Sequence, residues 1–268
     1  MEFRTIVDVP KAPFQIEPRE EMLFVGSCFA DSIGRRFQDE QFRATVNPFG
    51  TMYNPASVLH TMERYEGKPR IVFITLGTNH VYRLKETGEI VDNCQKRPAS
   101  LFQEEQLTVD ECADYLCRAV DLLRSRRPDV NIVLTVSPIR YRKYGYHESQ
   151  LSKATLLLAV DHVISTFNVQ HSTFTVTYSP AYEIVTDELR DYRFYADDML
   201  HPSSHAVEYI WERLVDSCFS PRAKEFLREW APLKAALAHR PFNPDSPEYR
   251  QFMAETRAKV DALLNRYH

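Results

Sequence analysis

Four short stretches of the chain carry the side chains that acyl-transfer chemistry uses. Gly26-Ser27-Cys28 places a hydroxyl beside a thiol, Gly50 stands in the turn Pro48-Phe49-Gly50-Thr51, Gly77-Thr78-Asn79-His80 holds an amide and an imidazole, and Asp198-Met199-Leu200-His201 sets a carboxylate three residues before an imidazole. Cleaving an ester needs a nucleophile, a base within hydrogen-bond reach of it, a carboxylate that orients the base, and donors for the developing oxyanion. Ser27 or Cys28 is the candidate nucleophile, His201 the base and Asp198 its orienting acid. Gly50, Asn79 and the first N–H groups of the helix after Cys28 are the candidate oxyanion donors. Each residue also has a structural reading: Ser27 as a helix cap, Cys28 as a small core side chain, Asn79 as a partner for its own turn, and Asp198 as an acid paired with Arg193, with Asp197 orienting His201 instead.

The sequence between these stretches predicts what brings them together. Met22 to Gly26 is a short apolar run followed by Phe29, Ile33 and Phe37 at i, i+4 and i+8, a buried strand feeding a helix. A strand over 43–47 leads into the Gly50 turn, and Asn54-Pro55 is an N-cap and first helical residue for a helix to about Arg64. Ile71 to Leu76, rich in β-branched and aromatic residues, is the strongest strand signal. Thr108 and Glu111 form a capping box for a helix to about Arg126. Asn131 to Ser137 and Thr173 to Tyr178 predict two more strands, with a helix between them over about Ser149 to Phe167. Asp191 to His201 reads as a loop, and Pro202-Ser203 starts a helix with Val207, Ile210, Trp211, Leu214, Val215 and Cys218 on one face. Strands alternating with helices imply an α/β fold with a parallel sheet of about five strands, covered by helices on both faces. In such a sheet, sites form beyond the carboxyl ends of the strands, where all four polar stretches fall.

Two segments lie outside this alternation. Between His80 and Gln106 lies a long connection whose middle, residues 81–94, alternates on both sides of Thr87-Gly88, a hairpin inserted at a strand end and a candidate substrate cover. That insertion and the Tyr- and Arg-rich loop around 140–147 are where acceptor specificity is expected. From Ser220 a helix is expected to break at Pro232, followed by a linker over 240–245 and a last helix opened by Ser246-Pro247. Residues 1–219 are thus expected to form the enzyme-like domain and 220–268 a C-terminal helical extension. The amphipathic last helix, with Tyr249, Phe252, Met253, Val260, Leu263 and Leu264, packs on the core or on a second subunit, which would make a homo-oligomer.

Composition narrows the function classes. The 268 residues, 44% hydrophobic and 26% charged, are those of a globular protein with one sizeable core. A formal net charge of -4 with scattered basic residues gives no footprint for nucleic acid. No apolar run approaches the ~18 residues of a membrane span, and the N-terminus lacks a basic-then-apolar leader, so a cytoplasmic location is expected. The five cysteines form no C-x-x-C pair, which argues against a disulfide framework or a zinc knuckle. His60, His147, His162, His171, His205 and His239 show no metal-ligand spacing, and neither a metal nor another cofactor is expected.

The ordered blocks resemble the SGNH (GDSL-type) hydrolase superfamily. The stretch GSCFA at 26–30, with NPFGTMYNP, TVSPIR and FYADDMLHPS, resembles the GSCFA family within it. The resemblance spans about residues 22 to 219 and implies a flavodoxin-like three-layer α/β/α sandwich and metal-independent hydrolysis of oxygen esters. The resemblance leaves the substrate undefined; the expectation is a small or carbohydrate-linked acyl ester, with Ser27 or Cys28, Asp198 and His201 as catalytic residues and Gly50 and Asn79 in the oxyanion hole. A gapless match to G-D-S-L puts Cys28 at the nucleophile, whereas superfamily habit favours serine and hence Ser27. His80 stands where the parent motif usually has an acid. Acyl transfer to a sugar acceptor, or a non-catalytic binding or scaffold role on the same fold, are the alternatives.

Overall fold

The apolar runs form strands and the amphipathic stretches form helices in the order the patterning predicts, with two exceptions noted below. The computed structural model describes residues 3–92, 94, 97–167 and 173–267. Strand β1 (Glu21–Gly26) feeds α1 (Cys28–Asp39), β2 (Arg43–Val46) feeds α2 (Pro55–Arg64), and β3 (Ile71–Leu76) leads into an insertion of β4 (His80–Leu84), β5 (Ile90–Val91) and β6 (Phe102–Gln106). Helix α3 (Val109–Arg126), β7 (Asn131–Val136), α4 (Tyr146–Phe167) and β8 (Thr175–Tyr178) follow. The short α5 (Ala181–Glu183) continues as a π-helical turn over Ile184–Leu189, and α6 (Ser204–Cys218), α7 (Pro221–Leu237) and α8 (Pro247–Arg266) complete the chain. Predicted caps are in place: Asn54 accepts from Ser57 N, Thr108 and Glu111 form the reciprocal box, and Ser203, Ser220 and Ser246 each cap a helix.

The central sheet has the order β2-β1-β3-β7-β8 with every neighbouring pair parallel. Counting only its own strands this is 2-1-3-4-5, the flavodoxin-like winding, whose order reverses between β1 and β3. Period-two alternation divides the side chains between two cores. Leu23, Val25, Val72, Ile74, Ile132 and Leu134 pack on one face with Met62 of α2, Leu116 of α3 and Leu156 of α4. Met22, Phe24, Phe73 and Val133 pack on the other with Phe29 and Phe37 of α1 and Trp211 of α6. Three layers result.

The hairpin about Thr87-Gly88 forms as β4 and β5, but β6 adds a third antiparallel strand that alternation did not reveal, because Phe102–Gln106 is mostly polar and carries one buried residue. The insertion docks on α2, where Asp92 meets His60 at 2.8 Å and Arg64 at 2.6 Å.

The expected break at Pro232 does not occur: α7 runs through it to Leu237. A proline in a helix forfeits one hydrogen bond and crowds the preceding turn. Here the flanking turns are held by tertiary contacts. Phe226 and Trp230 pack with Leu263 and Tyr267, the Trp230 indole donates to Asp39 O at 3.1 Å, and Lys234 meets the buried Glu40 at 2.7 Å. Helix α8 lies on α7 through Leu263, leaving Phe252 39% exposed. Among the described residues no helix is long and apolar enough to cross a membrane.

Candidate active site

Strand β1 ends at Gly26, whose φ of +141° and whose distance to β3 both demand glycine: a Cβ there would lie 2.0 Å from Thr75 O. This close approach brings the β1–α1 turn against the end of β3. Ser27 N donates to Thr75 O at 3.0 Å. The Ser27 hydroxyl accepts from Phe29 N at 3.2 Å, lies 3.1 Å from Thr75 Oγ1, and belongs to a residue only 1% exposed. It is the N-cap of α1 and faces inward. Cys28, the first helical residue, is half-buried, and its sulfur lies 3.4 Å from the Tyr53 hydroxyl. Its own backbone N–H is in the first turn, where no intrahelical acceptor exists.

Tyr53 connects Cys28 to the third block. Its carbonyl accepts from Gly77 N at 2.8 Å and Thr78 N at 2.9 Å, so backbone and side chain of one residue bridge the two loops. Burial, and then the contact with Cys28, push the Tyr53 phenol above its ordinary range, so it keeps its proton and can donate to a thiolate. The loop carrying Tyr53 is held by Asn47, whose side chain accepts from Gly26 N at 2.9 Å and donates to Asp31 at 3.0 Å.

Gly50 and Asn79 lie on these loops with their backbone donors engaged. Gly50, at φ +95°, donates its N–H to Asn47 O at 2.9 Å and closes an exposed turn. Asn79 is buried, takes Ser152 Oγ on its N–H at 3.0 Å, and donates its side-chain amide to Leu107 O at 2.7 Å. One of its two side-chain N–H groups is therefore held by the residue before the α3 cap, and its backbone N–H by α4. His80 opens β4, is buried, and stacks on Tyr144 with centroids 3.9 Å apart. Burial, then the nearby Lys143, lower its pKa, which keeps the ring neutral.

Asp198 and His201 form a tight local unit in the turn before α6. One carboxylate oxygen accepts from Leu200 N at 2.8 Å and His201 N at 3.0 Å; the other lies 2.5 Å from His201 Nδ1. The two backbone donors, with the ring, hold the carboxyl down at about 2. With Nδ1 engaged, Nε2 is the nitrogen left for a reacting group. Arg193 pairs with Asp191, not with Asp198. The 140–144 loop ties this turn towards Cys28: Arg140 N donates to Leu200 O at 3.0 Å, and the Tyr141 ring lies 6.5 Å from that of Tyr53. Among the described residues no hydrogen bond joins His201 to Ser27 or Cys28.

Tyr53, Asn47, Ser152 and Lys153 escape a reading by motif. Only Tyr53 and Asn47 left a trace, in the NPFGTMYNP string beside Gly50. Among the described residues no three His, Cys, Asp or Glu side chains converge as a metal ion requires; His171 lies outside the described residues.

A sequence model of the GSCFA family matches residues 21–71 and 65–214, and one of the C-terminal domain of GSCFA domain proteins matches residues 230–268. The chain belongs to the GSCFA family. The likeness thus extends into the tail, which the motif blocks alone did not cover. No curated protein matches this GSCFA chain. Among solved structures, a protein designated a GDSL-like lipase from Parabacteroides merdae superposes with a TM-score of 0.51 at 12% identity, over 78% of this chain and 98% of that one. An acetyl-xylooligosaccharide esterase from Geobacillus Stearmophilus gives 0.46 at 14% identity over 76% and 96%, and an acetyl esterase 0.47 at 11% over 79% and 100%. The GSCFA chain has the α/β/α fold of the SGNH hydrolases.

Proposed function

We propose that this GSCFA protein is an acyl-ester hydrolase whose nucleophile is Cys28. The observation that carries the reading is the division of labour at the β1–α1 turn. The Ser27 hydroxyl is spent on capping α1 and on Thr75, whereas the Cys28 sulfur sits half-exposed at a helix N-terminus beside a phenolic donor. In this mechanism His201 Nε2 takes the thiol proton as the sulfur attacks the ester carbonyl. Asp198 holds Nδ1–H and stabilises the imidazolium. The oxyanion meets the Cys28 N–H, with two flanking donors: the Gly50 N–H, which it would have to win from Asn47 O, and the second side-chain N–H of Asn79. Collapse expels the alcohol, which leaves with the proton from His201, and a thioester remains. Water, deprotonated by His201, then releases the acid and regenerates the thiol. Tyr53 beside the thiol and the neighbouring Tyr141 and Tyr144 suit a small acyl group on a carbohydrate or similar alcohol, and a sugar hydroxyl in place of water would make the same steps an acyl transfer.

A second reading, a binding protein without chemistry, draws on one observation: His201 makes no hydrogen bond to Cys28. Catalytic contacts often tighten only when substrate binds. Hydrolysis of p-nitrophenyl acetate by the wild type, Cys28→Ala, Ser27→Ala and His201→Ala decides between them. Loss in Cys28→Ala and His201→Ala with activity kept in Ser27→Ala supports the hydrolase; activity that survives His201→Ala, or is absent from the wild type on a panel of short-chain esters, sinks it.

A further inference from the structure

Helix α4 turns two consecutive polar residues, Ser152 and Lys153, into the core above its apolar Leu156, Ala159, Val160 and Val163. Lys153 is fully buried and has no carboxylate partner among the described residues. Its Nζ donates to Gly77 O at 2.7 Å and to Ser137 O at 2.8 Å. These carbonyls belong to the residues just past the ends of β3 and β7, so one side chain ties together two neighbouring strand ends. An uncharged amine has two N–H groups and meets two acceptors here; an ammonium would bury a third N–H without a partner, at a desolvation cost. Consistent with this, burial brings the Lys153 pKa down to about 7.

From Gly77 the bonds lead to the thiol. The Gly77–Thr78 peptide places its carbonyl on Lys153 and its N–H on Tyr53 O at 2.9 Å, and the Tyr53 hydroxyl reaches Cys28 at 3.4 Å. Ser152 holds the following peptide, accepting from Asn79 N at 3.0 Å and lying 3.0 Å from Thr78 Oγ1. A methionine would fill the volume of Lys153 without the cost of burying an amine, so the contribution of this side chain must lie in its two hydrogen bonds.

We propose that Lys153 is a positioning residue for the Cys28 site: its amine clamps the Gly77–Thr78 peptide between β3 and β7 and so fixes the Tyr53 hydroxyl against the Cys28 sulfur. The role rests on reading Cys28 as the reacting atom. The test uses full-length protein with Lys153→Met, Lys153→Gln and Lys153→Leu, each checked for folding by circular dichroism. Two quantities are read: the rate of iodoacetamide alkylation at Cys28, followed by peptide mapping, and kcat and KM on p-nitrophenyl acetate. Lys153→Met should slow alkylation about five-fold and lower kcat at least ~10-fold with KM within about two-fold, since displacing a site group by an ångström costs that order of rate. Lys153→Gln, whose amide nitrogen stands one bond short of the Lys153 amine, should recover only part of both. A wild-type alkylation rate in folded Lys153→Met overturns the clamp. If Lys153→Met does not fold, Lys153→Leu, which also removes the amine, decides, with slower alkylation expected and the wild-type rate overturning. If the wild type hydrolyses no ester, the hydrolase reading fails while the alkylation rates still judge the clamp.

Discussion

The sulfur of Cys28 lies 3.4 Å from the hydroxyl of Tyr53, while the hydroxyl of Ser27, one residue earlier, lies 3.1 Å from Thr75 Oγ1 inside the fold. Two adjacent polar atoms thus face opposite ways. Because the Tyr53 phenol keeps its proton, it can donate to the thiolate. Tyr53→Phe should therefore slow Cys28 alkylation at neutral pH several-fold while leaving the fold intact, since its ring contacts remain. Peptide-mapped iodoacetamide kinetics measure it.

Ser27 and Cys28 should separate stability from reactivity. Ser27→Ala removes the α1 cap and is expected to cost about 1 kcal/mol, read from urea unfolding, with p-nitrophenyl ester hydrolysis retained. Cys28→Ala should leave the urea midpoint nearly unchanged and abolish hydrolysis. The reverse pattern would make Ser27 the nucleophile.

Asp198 should act through orientation and charge at every ordinary pH. Its carboxyl, held at about 2 by the backbone N–H groups of His201 and Leu200 and then by the His201 ring, stays ionised throughout the working range. Asp198→Asn should lower kcat by ~100-fold or more, because the amide cannot hold the Nδ1–H tautomer as the carboxylate does. A profile from pH 4 to 9 on both proteins tests this.

Lys153 should make stability rise with pH. Its pKa falls from 10.5 unfolded to about 7 folded, so between those values the unfolded chain holds a proton that the folded one does not. Lowering the pH from about 10.5 towards 7 then favours unfolding, by up to about 5 kcal/mol over the whole window, and below 7 the effect is constant. Urea midpoints at pH 7 and 9 should show this rise in the wild type and a smaller one in Lys153→Met.

The docked insertion should loosen as pH rises. His60 has its pKa raised chiefly by its hydrogen bond to Asp92, so the stabilisation is full below the unfolded value of ~6.5 and is lost as pH passes the folded value. Hydrogen exchange, corrected for its intrinsic pH dependence, should show less protection in β4 and β5 at pH 8 than at pH 6, and Asp92→Asn should remove the difference.

Much of the scaffold was legible because its signals are local. Asn54-Pro55, Thr108 with Glu111, and Ser203, Ser220 and Ser246 announce their helices through side-chain-to-backbone bonds within three residues. The runs at 71–76 and 131–136 announce buried parallel strands by lacking polar alternation. Strand β6 was missed because an edge strand with one buried residue has no period to read, and Pro232 misled because α7 is held by Trp230 and Lys234, whose partners Asp39 and Glu40 lie some 190 residues away in the chain.

By itself the sequence determined the order of the central strands and their helices, their caps, the sheet class and the residue types of the four polar blocks, since each depends on spacing within one turn or one strand. It left Ser27 and Cys28 as equals. Only the tertiary structure distinguished them, because the direction in which each side chain points depends on β3 approaching Gly26 closely enough for Thr75 to take the Ser27 hydroxyl, and on Tyr53 arriving from another loop beside the sulfur. Tertiary structure likewise engaged Asn79 with Leu107 and buried Lys153 under Gly77. Hydrogen bonds between residues that are distant in sequence leave no local pattern, and they are what set the direction of each side chain in the site.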